Sequence, residues 1–203
     1  MLYSFLISFV DEFSALNVFR YLTFRTGLSV MSSMIIVFVI GGPFIRFIES
    51  HKITGPIRDD GPQDHIVKKV GTPTMGGLLI LIGILFSTLL WADLNNPYIW
   101  VLLMVVTSFG SLGAVDDYLK IKYKNSKGIS SGLKIIFQII LSIIAVLLLI
   151  KFGNNEHLKN LYFPFFKNVI INLGLFFIPF AVFIIVGSSN AVNLTDGLDG
   201  LAT

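Results

Sequence analysis

Two adjacent carboxylates, Asp116 and Asp117, follow a long apolar stretch of the sequence. At the C-terminus of a helix, the negative end of the helix dipole disfavours acidic side chains, so a cation should compensate them. One such cation is Lys120, which lies four residues after Asp116 and three after Asp117 and can reach either on a helix. Another is a divalent metal ion, and Mg2+ is favoured because it takes hard oxygen ligands and accompanies phosphate substrates. The spacing leaves both partners open.

A denser polar cluster occupies residues 190–200, which read Asn-Ala-Val-Asn-Leu-Thr-Asp-Gly-Leu-Asp-Gly. Asn190, Asn193, Asp196 and Asp199 are three residues apart, so their side chains lie near one another if the segment is helical. The glycines after the two aspartates favour turn geometry instead. A capped helix end explains one such residue but not four. This cluster is therefore the strongest indication of a functional site in the chain.

A third segment runs from Lys69 to Gly77 and combines a lysine, two threonines and three glycines. Glycines allow close approach of the backbone to a ligand, and Thr74 offers a hydroxyl. Because helix N-termini attract phosphate, the segment is a candidate phosphate site. It also fits a helix start whose glycines only permit tight helix packing. It is not a P-loop, since no Gly-x4-Gly-Lys-Ser/Thr occurs.

The composition of the chain indicates what kind of fold must position these residues. Of its 203 residues, 54% are hydrophobic and 13% charged, whereas a soluble domain usually carries about 25% charged residues. An ordinary soluble fold is therefore excluded. The chain has no cysteine, which excludes a disulfide framework, a thiolate zinc site and a cysteine nucleophile. The sequence predicts an all-α integral membrane protein, a polytopic bundle of helices.

Five apolar windows predict five transmembrane helices, because a bilayer core of about 30 Å needs roughly 20 apolar residues in a helix. The first ten residues are apolar but lack a basic start, so they predict an interfacial helix rather than a signal peptide. The predicted segments are an interfacial region at 1–25, spans at 26–48, 74–93, 95–115, 133–151 and 169–189, cytoplasmic loops at 49–73 and 116–132, an outer loop at 152–168 and a cytoplasmic motif at 190–203.

The distribution of lysine and arginine predicts the orientation of these spans. Residues 46–69 and 120–134 hold five basic residues each, against five on the opposite side of the predicted bundle. This ten-to-five bias places the N-terminus outside and both loops in the cytoplasm. All three candidate segments then fall on the cytoplasmic face. The net charge of +3 is thus explained by topology, and no nucleic-acid partner is predicted.

Taken together, the three segments resemble those of the phospho-N-acetylmuramoyl-pentapeptide-transferases, within the polyprenyl-phosphate N-acetylhexosamine-1-phosphate transferase superfamily. The resemblance is carried by Lys69-x-Gly-Thr-Pro-Thr-Met-Gly-Gly77, Val115-Asp116-Asp117 and the run from Asn190 to Ala202, in that order. It extends over essentially the whole chain. The paired aspartates and the last run are shared widely in the superfamily. The Gly-Thr-Pro-Thr-Met-Gly-Gly stretch indicates the muramoyl-pentapeptide branch.

This resemblance implies a reaction at the cytoplasmic face of the bacterial cytoplasmic (inner) membrane. Undecaprenyl phosphate attacks UDP-N-acetylmuramoyl-pentapeptide, giving lipid I and UMP, with Mg2+ required and a homodimer expected. Asp116 would take the lipid phosphate's proton, and Asp117 would be its acidic partner near the metal. The implied metal ligands are Asp117 and Asp196. The implied substrate-binding residues are Lys69, Thr74, Asn190, Asn193, Asp196 and Asp199, with Lys120 and Lys124 as phosphate contacts.

The chain departs from the family at its end. Family members have ten spans, a third essential aspartate and a later histidine-rich motif, so we expect the 203-residue chain to be a partial sequence that is inactive alone. Two other functions stay open. One is a transferase that uses UDP-N-acetylglucosamine on the same lipid. The other is a membrane transporter, which predicts charged residues near the middle of its spans; the five windows contain none.

Overall fold

A computed structural model describes residues 1–51, 75–123, 128–153 and 156–195. Its helices are α1 (Leu2–Ser8), α2 (Leu22–Ser50), α3 (Gly76–Trp91), α4 (Pro97–Tyr123), α5 (Ser131–Phe152) and α6 (Phe177–Thr195). Strands β1 (Asn160–Phe163) and β2 (Phe166–Asn172) form an antiparallel pair, and short 3-10 helices lie at Ser14–Arg20, Glu156–Lys159 and Gly174–Phe176. The chain divides into two compact units, Met1–Ser130 and Ser131–Thr203.

Four helical segments in the described part of the chain are long and apolar enough to cross a membrane: Leu22–Ser50, Pro97–Tyr123, Ser131–Phe152 and Gly174–Val192. Large apolar side chains on them point outward, and Phe38 and Phe183 are 75% and 74% exposed. Such surfaces are unfavourable in water and suit lipid. The prediction of an all-α polytopic membrane protein is confirmed.

The second predicted span coincides with helix α3, which is apolar but has only 16 residues. At 1.5 Å per residue its length is about 24 Å, less than the apolar core of a typical bilayer. Met75, directly before α3, has a left-handed backbone with φ of 70°. A non-glycine residue in that region carries about 1–3 kcal/mol of strain.

Helix α4 extends beyond the predicted end of the third span at residue 115. It continues to Tyr123, about two turns further. The predicted loop at 116–132 therefore begins as helix, and Asp116 and Asp117 lie inside α4. Lys120 forms an i,i+4 ion pair with Asp116, and the residues after the aspartates include helix-favouring Leu and Lys, so the helix is supported although the apolar stretch has ended.

The predicted start of the fifth span at residue 169 also differs from the structure. Residues 166–172 form strand β2, which pairs with β1 in the register Leu161↔Ile171 and Tyr162↔Ile170. The helix begins only at Phe177. The run Val-Ile-Ile within β2 is β-branched and favours a strand. An uncharged run of this kind cannot be told from the start of a helix by hydropathy alone.

Close packing of α2 against α3 organises the first unit. A Cβ added at Gly83 would lie 3.0 Å from Ser33 Oγ and 3.2 Å from Val37 Cγ2. Small residues allow two helices in lipid to approach closely, and this close approach provides the dispersion energy that holds the helices together. At one end of this helix pair, Trp91 Nε1 donates a hydrogen bond of 2.8 Å to Ser32 Oγ.

In the second unit, α5 and α6 pack against each other. The residues of α5 that are buried recur on one face of the helix, at Gln138, Ser142, Ala145 and Val146. This spacing of i, i+4, i+7 and i+8 is that of a helix stripe. Two of the four are polar, which is unusual for a buried stripe in a segment that suits lipid.

We predict that Gly83→Val lowers the thermal unfolding midpoint of the protein in detergent micelles, because overpacking costs about 1–3 kcal/mol. The matched control is Gly27→Val in α2, where an added Cβ meets nothing within 4 Å. Both changes introduce the same β-branched residue into a helix, so their difference isolates packing. Tryptophan fluorescence measures the unfolding of both variants. Equal unfolding midpoints for the two variants would contradict a close α2–α3 contact at Gly83.

Candidate active site

Asp116 is the central residue of a polar cluster on α4. It is only 8% exposed. Its Oδ2 lies 2.6 Å from Lys120 Nζ, and its Oδ1 accepts a hydrogen bond of 2.7 Å from the backbone N–H of Ile129. Both carboxylate oxygens therefore have partners, as a buried charge requires. Ile129 is thereby tied back to the helix.

Gly128 permits this return of the chain. Its φ is +54°, and an added Cβ would overlap Asp116 Oδ1 and lie 2.9 Å from Lys120 Cε. Only glycine combines that backbone conformation with so close an approach. Sequence reasoning missed Gly128. The available signal was a glycine in the short polar stretch between two apolar windows.

Asp117 is the more open carboxylate of the pair, with a side chain 38% exposed. Its Oδ1 is 3.6 Å from Lys120 Nζ, so one lysine is shared by both aspartates. The i+3 and i+4 pairing that the sequence left open is thus present in the structure. Because the lysine is partly exposed, the pair contributes about 0–1 kcal/mol to stability, and Lys120 remains accessible to an anion.

The described residues contain no cluster of three or more His, Cys, Asp or Glu that could hold a metal ion. Mg2+ does not need such a cluster, because it is commonly held by one or two carboxylates together with substrate phosphates. Asp117 fits as one of these carboxylates, since it is exposed and has a hard oxygen ligand. The second ligand implied by the resemblance, Asp196, lies outside the described residues.

Asn190 lies in the second unit, near the end of α6. Its Nδ2 donates hydrogen bonds to Gln138 Oε1 on α5, at 2.7 Å, and to the carbonyl oxygen of Val186, at 2.8 Å. Gln138 is only 3% exposed. Sequence reasoning missed Gln138, although it is the one amide side chain in the apolar window from Ile135 to Ile150.

Asn190 also lines an apolar cavity of about 600 Å3 between α5 and α6. Isoleucines of α5, among them Ile135 and Ile139, form one wall, and α6 contributes Val182, Val186 and Gly187 to the other. The cavity therefore joins an apolar groove to a single amide. Such a combination suits the boundary between a lipid chain and a polar group.

The structure brings together Asp116, Asp117 and Lys120 in the first unit and Asn190 with Gln138 in the second. Asn193 lies in α6, and its side chain is outside the described part. The other predicted site residues also lie outside the described residues: Lys69, Thr74, Lys124, Asp196 and Asp199.

Comparison with known proteins decides the family. Residues 99–203 match the family model described as glycosyl transferase family 4. This match covers more than half of the chain. The chain belongs to glycosyl transferase family 4. Residues 69–81 match the phospho-N-acetylmuramoyl-pentapeptide-transferase signature 1, and these residues include the Lys69–Gly77 segment.

Two similar relatives bear the same name. A phospho-N-acetylmuramoyl-pentapeptide-transferase of Pelagibacter ubique is 64% identical over 203 residues, which is 100% of this chain and 56% of the relative. That of Thermodesulfovibrio yellowstonii is 48% identical over 202 residues, again 56% of its length. The chain thus spans about half the length of these relatives. The resemblance stated from the motifs is confirmed.

We expect Gly128→Ala to destabilise this family member, because a left-handed backbone costs a non-glycine residue about 1–2 kcal/mol and the new methyl group displaces Asp116. The control is Gly113→Ala within α4, where an added Cβ meets nothing within 4 Å. Thermal unfolding of the two variants in the same detergent makes the comparison. An unfolding midpoint as high for Gly128→Ala as for the control would show that the return of the chain to Asp116 is not constrained.

Proposed function

We propose that this sequence belongs to an enzyme that transfers phospho-N-acetylmuramoyl-pentapeptide from its UDP donor to undecaprenyl phosphate, giving lipid I and UMP. The observation that carries the proposal is the 64% identity to a protein of that name over 100% of the chain. The match of residues 69–81 to the signature of the same enzymes favours this donor over UDP-N-acetylglucosamine.

The geometry around α4 suits phosphoryl transfer, which is catalysed mainly by positioning and by neutralising charge on phosphate oxygens. Asp117 would hold Mg2+, together with Asp196, and the bound ion would neutralise charge on the diphosphate of the donor. Lys120, shared by two carboxylates and partly exposed, is available to pair with a phosphate. Asp116 is the proposed acceptor of the lipid phosphate's proton.

The position of the polar cluster along α4 suits a reaction between a lipid and a water-soluble nucleotide. From Pro97 to Val115 the helix is uncharged, about 28 Å at 1.5 Å per residue, close to the thickness of an apolar bilayer core. Asp116 and Asp117 therefore fall at a membrane boundary, where both substrates can meet. We assign this boundary to the cytoplasmic face of the inner membrane from the lysine and arginine bias, and we propose a homodimer by resemblance to the family.

The remaining contacts are proposed for the donor. Lys69, Thr74, Asn190, Asn193, Asp196 and Asp199 would line its pocket, with Lys124 near the phosphates. Asn190 is the member of this set whose side chain the structure describes, and its amide is held by two hydrogen bonds. A pre-oriented amide binds a ligand with a smaller entropic cost than a freely rotating one.

The proposed function is tested in a protein of the relatives' full length that carries this sequence, reconstituted in vesicles with undecaprenyl phosphate. UMP release should occur with UDP-N-acetylmuramoyl-pentapeptide, stop with EDTA and return with added Mg2+. Release from UDP-N-acetylglucosamine alone would instead favour the second branch of the superfamily.

We expect Asp117→Asn to lower kcat by at least about 100-fold, the range seen when a charge-stabilising group is removed. Asp93→Asn, which changes a carboxylate in the turn between α3 and α4, is the control and should keep wild-type turnover.

A second prediction concerns Lys120. Lys120→Met should raise the donor KM about tenfold, since a hydrogen bond to a charged group contributes about 1.5–3 kcal/mol. Lys120→Arg keeps the positive charge and should retain most of the affinity. Lys122→Met is the control on the same helix, where the ammonium lies 6.0 Å from the centre of the Tyr118 ring. Equal KM values for Lys120→Met and Lys122→Met would remove Lys120 from the proposed site.

A further inference from the structure

The hydrogen bonds of Asn190 fix which end of its amide faces which neighbour. The carbonyl oxygen of Val186 can only accept, so the group 2.8 Å from it must be Nδ2. The second N–H of the same nitrogen goes to Gln138 Oε1 at 2.7 Å. Both hydrogens of Nδ2 are therefore used within the helix pair. The end of the amide left to a ligand is Oδ1, which only accepts hydrogen bonds.

The bond to Val186 joins residues four apart on one helix, whereas the bond to Gln138 joins two different helices. The bond to Gln138 is therefore not explained by local helix geometry. Gln138 lies seven residues after the first residue of α5, about 10 Å along the helix. Asn190 lies five residues before the end of α6, about 8 Å along its own helix. Gln138 is only 3% exposed and its contact with Asn190 is part-buried, so an unpaired amide there is costly. The two side chains therefore orient each other strongly.

We propose that Gln138 is a positioning residue, which holds the Asn190 amide so that Oδ1 is presented to the ligand. This inference rests on the proposed function and adds a chemical rule to it. Asn190 then accepts a hydrogen bond from a hydroxyl or N–H of the nucleotide-sugar, or contacts a cation. It does not donate to the phosphate oxygens, because its donors are already engaged.

The competing explanation is that Gln138 only holds α5 and α6 together. Amide hydrogen bonds between helices in lipid do contribute to association, by about 0.6 kcal/mol on average. The two explanations differ in what they predict for the KM of the nucleotide-sugar donor. A residue that only joins the helices changes unfolding, whereas a positioning residue changes donor binding through Asn190 and through no other group.

The test uses the full-length enzyme and measures donor KM, kcat and the thermal unfolding midpoint. Gln138→Leu removes the acceptor with little change in size, and we expect donor KM to rise about fivefold, as for loss of one buried neutral hydrogen bond. Gln138→Glu keeps an acceptor oxygen for Asn190 Nδ2, so its donor KM should stay closer to wild type than that of Gln138→Leu, although a carboxyl group is costly to bury at this site. Ser142→Ala is the control. Ser142 is fully buried on the same face of α5, and its Oγ has no hydrogen-bond partner among the described residues. Its donor KM should not change.

A double-mutant cycle distinguishes action through Asn190 from an independent effect. If Gln138 acts through Asn190, the donor KM of Gln138→Leu/Asn190→Ala equals that of Asn190→Ala alone. Multiplicative effects of the two changes would overturn the inference. So would a Gln138→Leu variant that unfolds at lower temperature but keeps the wild-type donor KM.

A spectroscopic measurement tests the geometry without turnover. In protein labelled with 15N-asparagine, the Asn190 side-chain amide is assigned by its loss in Asn190→Ala. Gln138→Leu should shift that resonance and Ser142→Ala should not; an unmoved resonance in Gln138→Leu overturns the inference. Failure of the proposed function is a separate result, seen as a wild-type protein that releases no UMP, and the amide resonance still decides the geometry.

Discussion

The absence of water from the bilayer core is the constraint on which this structure depends. A buried polar group there must find its partner within the protein or cost several kcal/mol. Two of the described polar groups have such partners: Asp116 with Lys120 and the Ile129 N–H, and Asn190 with Gln138. Asp116 and Asn190, two of the residues proposed for the site, are therefore also held by contacts within the protein.

The same constraint bears on the phosphate site that we propose on a membrane helix. An uncharged stretch as long as the apolar layer brings Asp116 and Asp117 to its edge, and α4 then continues to Tyr123. Lys120 is one turn beyond the carboxylates, close enough to neutralise them and still partly exposed. In the other unit, Asn190 is one of the residues that line an apolar cavity. Both arrangements place a polar group directly beside a lipid-like surface, as a reaction between a lipid and a nucleotide needs.

The start of the fifth span is where the sequence prediction differs from the structure, because strand propensity outweighs the apolar character of the segment. Residues 169–172 are uncharged and were predicted to begin a span, yet Val169, Ile170 and Ile171 are β-branched and pair with β1. The third span is predicted to end at residue 115, and the helix itself continues to Tyr123, beyond the end of the apolar stretch. Hydropathy reports which residues avoid water, and it does not report where a helix begins or ends.

The sequence by itself determined the membrane class, the resemblance to the transferase family and the possible pairing of Lys120 with both aspartates. These features depend on composition, on contiguous motifs or on residues within one helical turn. Only the tertiary structure decided the partners that are distant in the chain: Ile129 for Asp116, 13 residues away, and Gln138 for Asn190, 52 residues away. Gly128 and Gln138 entered the site only with those contacts. A single sequence does not encode such partners visibly, because the energy of a hydrogen bond depends on distance and direction in space, which folding alone sets.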